Sequence, residues 1–359
     1  MSVHMNGIHS LKEHNESAVL RTLMTMNTAT RGQLAQRTGL SQPTVNAIVQ
    51  ELEDKGIVQP GNFAVSAGGR RPQCYTLRTN HMRATTIRVL SKSLEYLVVT
   101  IDGTVILRNS WPITATDNVV DALQALLTTL TRQDNNIRVV SIGVPGVVGP
   151  GGVLHAIPQI QELEGVSLVR ELDTYVDIPI YVENDMNSVA LGSVVTEPGQ
   201  ETAKDMVFVH IGEGVGAGIV VGGQIIRGFS SFAGEIKYIF KPLEPKKSQS
   251  SKNNEETLEF ECLLAQTNNT AKRAKLLSSI IISIICLLNP PVILFGSEYA
   301  NEEILWRLRH ECENHLPLWT LPTFKLMTEV EEETAYNKGL KALVDDVLVN
   351  QITNSANAI

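Results

Sequence analysis

The sequence predicts a winged helix-turn-helix followed by a two-lobed α/β body. Three observations carry this expectation. Two short capped helices and a glycine-arginine hairpin follow one another within roughly residues 16–78. From about residue 84 strands and helices alternate. Glycine-rich stretches sit where strands end in that second part. The expected division is residues 1–80 for the head and 84–359 for the body.

The first of three helical patterns, Ser17 to Met26, puts Val19, Leu20, Leu23 and Met24 on one face. Thr30-Arg31-Gly32-Gln33 then has the spacing of a capping box, in which the Thr30 side chain accepts from the Gln33 backbone N–H and the Gln33 side chain reaches back to the Thr30 backbone. Gly39 supplies the left-handed residue of a tight turn. Ser41 caps a third helix, Pro43 stands in its first turn and Gly56 ends it. Val45, Ile48, Val49 and Leu52 form its inward face, leaving Gln42, Thr44 and Asn46 outward. Gln and Asn suit adenine edges in a major groove, so these three are candidate base contacts. Ile57-Val58-Gln59 and Gln73 to Leu77 read as strands, with a turn expected at Pro60-Gly61-Asn62. Between them, Gly68-Gly69-Arg70-Arg71-Pro72 reads as the tip of a wing, and Arg70 and Arg71 suit a narrow minor groove.

Charge distribution agrees with that division. Residues 1–80 hold eight Lys/Arg against five Asp/Glu, whereas the remainder holds 22 against 33. A basic head on an acidic body suits contact with double-stranded DNA through the head alone. The four cysteines are scattered and form no ligand cluster, so no metal and no disulfide framework is expected. The longest apolar run, Leu276 to Leu288, is interrupted by three serines and falls short of the about 20 residues a bilayer span takes. No apolar signal segment opens the chain. A cytoplasmic location with no membrane contact is expected.

In the body, strands are expected at Thr85–Leu90, Tyr96–Ile101, Arg138–Val144, Ile178–Val182, Met206–Ile211 and Gly218–Val221. Asp102-Gly103 is a turn and Val119–Thr131 an amphipathic helix. Three features stand at strand ends or loops. Glu183-Asn184-Asp185 offers a base or a polyol acceptor, or simply a helix cap. Gly212 to Gly218 lets backbone N–H groups approach a phosphate or a sugar. Gly234-Glu235 is a loop acid.

Taken in order, Gly143-Val144-Pro145-Gly146, Glu183-Asn184-Asp185, Gly212 to Gly218, Arg227-Gly228, Ala233-Gly234-Glu235-Ile236, Asn289-Pro290 and Ile293-Leu294-Phe295-Gly296 resemble the ROK family of repressors and sugar kinases. The resemblance extends over most of residues 84–300, and the head matches the family's repressor branch. It implies an actin-like, ribonuclease-H-like pair of lobes around a sugar cleft. It also implies sugar contacts at Asn184, Asp185 and Glu235, with Glu259 of Thr257-Leu258-Glu259 as a fourth. Asp185 matches the catalytic base of the kinases and would be catalytic only in a kinase.

The departures from the family are specific. Its kinases carry Asp-x-Gly-Gly-Thr, and the aligned stretch here is Arg88-Val89-Leu90-Ser91-Lys92. A cation replaces the carboxylate and both glycines are lost, which removes the support for ATP phosphates and magnesium. Lys237-Tyr238 replaces the glycine-histidine pair that serves zinc and sugar, and a polar stretch, Lys246 to Glu256, replaces the cysteine loop. The expected protein is therefore a DNA-binding transcription regulator, a repressor of carbohydrate genes, controlled by a sugar or sugar derivative. It is expected to lack enzymatic activity, cofactor and metal. The alternatives are a sugar kinase carrying a DNA-binding head and a regulator answering to a protein partner. A homodimer or homotetramer is expected, because two recognition helices must read half-sites about 34 Å apart. Helices within Glu302–Asn314 and Thr334–Val349 are candidates for its interface.

Overall fold

A computed structural model describes residues 3–64, 71–78, 82–114, 118–195, 203–212, 214–240, 264, 267, 269–296 and 299–355. The head opens with α1 (Val3–Met26), followed by β1 (Ala29–Thr30), α2 (Arg31–Thr38) and α3 (Gln42–Asp54). The capping box forms: Gln33 N–H donates to Thr30 Oγ1 at 3.2 Å and Thr30 N–H donates to Gln33 Oε1 at 2.9 Å. Gly39 ends α2 at φ 70°, and Ser41 Oγ accepts from Thr44 N–H at the start of α3. Val45, Ile48, Val49 and Leu52 are buried, as their spacing requires.

The wing strands are β2 (Val58–Phe63) and β3 (Gln73–Leu77), in the order β1-β3-β2. Here the turn expected at Pro60-Gly61-Asn62 does not form. Those residues lie inside β2, whose pairing shifts register between Pro60 and Phe63. Pro60 is tolerated because β2 is the edge strand, where its missing N–H breaks no ladder bond. Ala64 N–H still donates to the Pro72 carbonyl at 3.0 Å, so the pairing of the two segments continues past Phe63.

The body repeats one topology twice. In the first lobe β4 (Arg83–Val89), β5 (Ser93–Thr100) and β6 (Val105–Pro112) form an antiparallel meander. After α4 (Val119–Gln133), β7 (Ile137–Val144) lies parallel to β4. Two short strands, β8 (Val147–Val148) and β9 (Leu154–His155), and α5 (Leu168–Leu172) lead to β10 (Ile180–Asn184), parallel to β7. Then α6 (Asp185–Val194) enters the second lobe, where β11 (Met206–Ile211), β12 (Val215–Val221) and β13 (Gln224–Ile225) form the same meander. Helix α7 (Thr270–Leu288) precedes β14 (Val292–Gly296), parallel to β11, and α8 (Glu302–His315) precedes β15 (Thr323–Leu326), parallel to β14. The chain ends in α9 (Glu329–Ser355). Strand orders β10-β7-β4-β5-β6 and β13-β12-β11-β14-β15 are this duplicated pattern, the actin-like arrangement expected from the sequence.

Each lobe has its own core. Leu123, Leu126 and Leu130 of α4 cover the first sheet, and Leu277, Ile281 and Ile284 of α7 cover the second. The apolar run of α7 buries one face, while its end at Leu287 is 79% exposed, and among the described residues no helix is long and apolar enough to cross a membrane. Between the lobes α6 and α9 pack together, with Val189 and Ala190 against Ala335, Tyr336 and Leu340.

At about 1.5 Å per residue, 27-residue α9 is roughly 40 Å long. It is longer at both ends than the pattern Thr334–Val349 indicated. Its far half, Val344, Leu348, Val349 and Ile352, shares one buried cluster with Val19, Leu20 and Leu23 of α1 and with Val99 and Val139 of the first sheet. This face of the segment Thr334–Val349 is buried inside the chain. An Arg21–Asp346 ion pair joins the same two helices at the surface.

Candidate ligand cleft and nucleic-acid interface

Strand ends build the cleft. β7 runs into Pro145-Gly146, β10 ends at Asn184, and the β11–β12 turn follows Ile211. These ends converge with the loop around Glu235 and the first turn of α9 on a cavity of about 650 Å³. Ligands of α/β folds gather at such carboxyl ends.

Asn184 caps α6, accepting from Asn187 N–H at 3.0 Å, while its amide donates to the Gly146 carbonyl at 2.7 Å. Its side chain therefore fixes the strand-to-helix corner that presents Asp185 to the cavity. Burial pushes the Asp185 carboxyl up to about 6, against the opposing pull of a backbone N–H bond and of His210 and Arg88. Glu235 lines the opposite wall, with Lys237 Nζ 3.9 Å away. Glu259 lies outside the described residues. The structure thus brings Asn184, Asp185 and Glu235 to one cavity.

Tyr238 points elsewhere. Its ring lies 5.2 Å from that of Phe232, and both line an apolar cavity with Ile284 and Leu287. It packs there, and Lys237 alone of the replaced pair faces the cleft. A lysine, a tyrosine and a loop without cysteine are not a zinc donor set.

Four cleft residues escaped the sequence reading of the site. Arg88 appeared only as a lost carboxylate, yet its guanidinium lies in the cleft over the Tyr336 ring at 4.8 Å. His210 faces Glu332 of α9, Nδ1 to Oε1 at 3.5 Å. Glu332 and Tyr336 are about 150 residues downstream of Asp185 and belong to no motif. Their spacing of four on one helix face is the only local signal. Glu183 and Arg227 were landmarks without a role. The Arg227 guanidinium pairs with the buried Glu183 carboxylate, Nε donating at 2.9 Å, and so joins the first lobe to the second beside the cleft.

On the head, Gln42 and Asn46 are exposed on consecutive turns of α3. Thr44 is half-buried and its hydroxyl is 2.8 Å from Ser41 Oγ, so it is partly engaged in the helix cap. Arg71 is exposed. Arg70 lies outside the described residues. Arg31 stacks over Tyr75 at 4.8 Å, holding α2 to the wing.

Comparison with known proteins places both parts. Residues 86–246 match the model of the ROK family and residues 13–71 that of the MarR family. The DNA-binding transcriptional dual regulator NagC of Escherichia coli K12 is 25% identical over 242 residues, 66% of this chain and 59% of NagC. The match thus spans about three-fifths of that relative. A solved ROK family transcriptional regulator, a homolog of the E. coli MLC protein, superposes with a TM-score of 0.71 at 17% identity, covering 96% of this chain and 99% of the other. The ROK hexokinase of Thermus thermophilus superposes with a TM-score of 0.58 at 18% identity over 74% of this chain and 99% of its own. At 96% coverage the regulator's match takes in both head and body. Residues 86–246 thus resemble a ROK domain, and residues 13–71 ahead of them a MarR-type winged helix.

Proposed function

We propose that this chain is a transcription regulator, acting as a repressor of carbohydrate genes, whose ROK cleft takes a sugar or sugar derivative and sets the DNA affinity of the winged head. The observation that carries the reading is the course of α9. Its first turn lines the cleft through Glu332, and its far half is part of the head's core through Leu348 and Ile352. A ligand that prefers one arrangement of the lobes therefore acts on the helix that seats the head. The similarity to NagC, a DNA-binding transcriptional dual regulator, supports the regulator reading. Gln42, Thr44 and Asn46 would read bases in a major groove, and Arg71 with Arg70 would follow the minor groove. Asn184, Asp185, Glu235 and Glu259 would hold the sugar. The working form would be a cytoplasmic dimer or tetramer, with two heads on half-sites one helical turn apart.

Enzymatic activity has little support in the cleft. Arg88 stands where a phosphate-binding carboxylate would serve a kinase, and Leu90 and Ser91 carry side chains where glycines would let phosphates approach. One observation favours the kinase reading: Asp185 is half-buried at the strand end with a carboxyl at about 6, suited to a general base. The test is to select DNA sequences with the full chain, titrate them by fluorescence anisotropy with and without a sugar panel, and run a coupled ATP assay on the same panel. Sugar-dependent DNA affinity without ATP turnover is the expected result. Turnover abolished by Asp185→Asn would establish the kinase instead.

A further inference from the structure

Arg31 is the first residue of α2 and follows directly on the short strand β1. Side chains of a helix lean back toward its N-terminus, which directs Arg31 over β1 and its neighbour β3. Ala29 of β1 lies opposite Tyr75 of β3, and the Arg31 guanidinium stacks on the Tyr75 ring at 4.8 Å. The same guanidinium reaches α3, where Nη2 donates to Gln50 Oε1 at 3.5 Å and lies 4.0 Å from Glu53 Oε2. One side chain of α2 thus touches the recognition helix and the wing strand at once.

Both contacts lead to groups that the DNA reading uses. On α3, Gln42, Asn46 and Gln50 are exposed and follow one another four residues apart, so they share one face. Asp54 Oδ1 accepts from Gln50 Nε2 at 3.0 Å, which turns the Gln50 amide oxygen toward Arg31. On the wing, Tyr75 is buried and stands opposite Pro60 of β2. Gln73, two residues nearer the tip, donates from Nε2 to the Gly61 carbonyl at 2.6 Å, and the Ala64–Pro72 bond continues the pairing. Arg71 comes next. The hairpin is therefore cross-braced from Tyr75 to Arg71, and a shift of Tyr75 moves the wing arginine.

Arg31 itself is poorly placed to meet a phosphate. Its side chain is only 28% exposed, and its Nε is buried without a hydrogen-bond partner. An arginine kept only for its charge on DNA would stand in solvent, free of that desolvation cost. What this position uses is a planar group that stacks through its face and donates through its edge, a combination lysine lacks.

We infer that Arg31 is a positioning residue for DNA recognition. It fixes the angle between α3 and the wing, so that Asn46 in the major groove and Arg71 in the flanking minor groove engage together. Without it the head still folds around Leu34, Val45 and Leu52, but the wing is no longer held in register with α3 and its contact is lost. This deepens the regulator reading and rests on it for the assignment of α3 and the wing to DNA.

The experiment is a double-mutant cycle in the full chain, read by fluorescence anisotropy at several salt concentrations on DNA that the parent chain selects. Arg31→Gln should weaken binding about tenfold. In that background Arg71→Ala should cost at least about threefold less than it does in the parent. The salt slopes should overlap in the same way: each single variant lowers the slope, and the double variant lowers it no further. Tyr75→Leu should reproduce Arg31→Gln, whereas Tyr75→Phe, which keeps the ring, should behave as the parent. Thermal unfolding and stoichiometric titration verify the folded, DNA-active fraction, and either Arg31→Gln or Tyr75→Leu carries the test if the other does not fold. The inference fails if the losses of Arg31→Gln and Arg71→Ala multiply, because Arg31 then acts on DNA independently of the wing. It fails also if Tyr75→Phe loses as much as Tyr75→Leu, or if a reduced active fraction accounts for the whole loss. A parent chain that binds DNA while the losses multiply leaves the regulator standing and removes only the role of Arg31. A parent chain that selects no DNA removes the regulator reading and this inference together.

Discussion

Arg227 of the second lobe donates from Nε to Glu183 of the first at 2.9 Å, and its terminal nitrogen pairs with the same oxygen. Glu183 is only 4% exposed and also accepts from Asn187 Nδ2 and from the Asn184 N–H. Arg227→Ala would leave a buried carboxylate with two neutral partners. Because the arginine side chain is 44% exposed, the expected loss is on the order of 2 kcal/mol rather than the ~3–5 kcal/mol of a fully buried pair. Chemical denaturation measures it. Adding Glu183→Gln to Arg227→Ala should recover part of the loss, since the uncompensated charge is gone. A double variant less stable than the single would show that the cost lies elsewhere.

Where α6 crosses α9, Gly339 lies against the Ser188 carbonyl so closely that a Cβ would overlap it, and Gly192 does the same against the Ala335 carbonyl. Helix propensity alone makes Gly339→Ala stabilising by about 1 kcal/mol. Overpacking of backbone on backbone costs about 1–3 kcal/mol and should win. Thermal unfolding is expected to show a lower midpoint. A raised midpoint would mean that the crossing has room to spare.

The seat of the head on α9 separates apolar from ionic contributions. Leu348 is fully buried in the shared cluster, and Leu348→Ala should cost about 2–5 kcal/mol. Asp346 pairs with Arg21 where both side chains are about half exposed, so Asp346→Ala should cost less than ~1 kcal/mol. Equal effects of the two in urea denaturation would contradict burial as what holds the head down.

Asp185 gives stability a slope with pH. Its folded carboxyl titrates at about 6 and its unfolded one at 3.8, so between those values the native state holds the extra proton. Stability contributed by this group is present below about pH 4 and lost as pH rises through 6. Asp185→Asn should therefore stabilise the chain at pH 7, by at most about 3 kcal/mol, and flatten the urea midpoint between pH 4 and 6. A slope unchanged in the variant would assign it to another group.

The head was legible in the sequence because its signals are local. Thr30, Gln33, Gly39 and Ser41 act on neighbours within four residues, and each does in the structure what its spacing implies. Pro60-Gly61-Asn62 misled for the same reason: turn chemistry is local, while the edge position that lets β2 absorb it is tertiary. Asn184, Asp185 and Glu235 were legible as a cleft through the resemblance. Glu332 and Tyr336 were not, since a contact made 150 residues away leaves no pattern except an ordinary helix face. Nor does the sequence of α9 announce that one helix serves two cores, because burial at Tyr336 and at Leu348 looks alike in a periodicity.

Fluorescence anisotropy on DNA selected by the full chain tests the central claim, that occupancy of the cleft sets the affinity of the head. A sugar that calorimetry shows to bind at Asp185 should change the dissociation constant for that DNA by about fivefold or more, corresponding to a coupling of ~1 kcal/mol or greater. The change should disappear in Asp185→Asn. If the same sugar saturates the cleft and the DNA titration curve does not move, the cleft and the head are not coupled and the account is wrong.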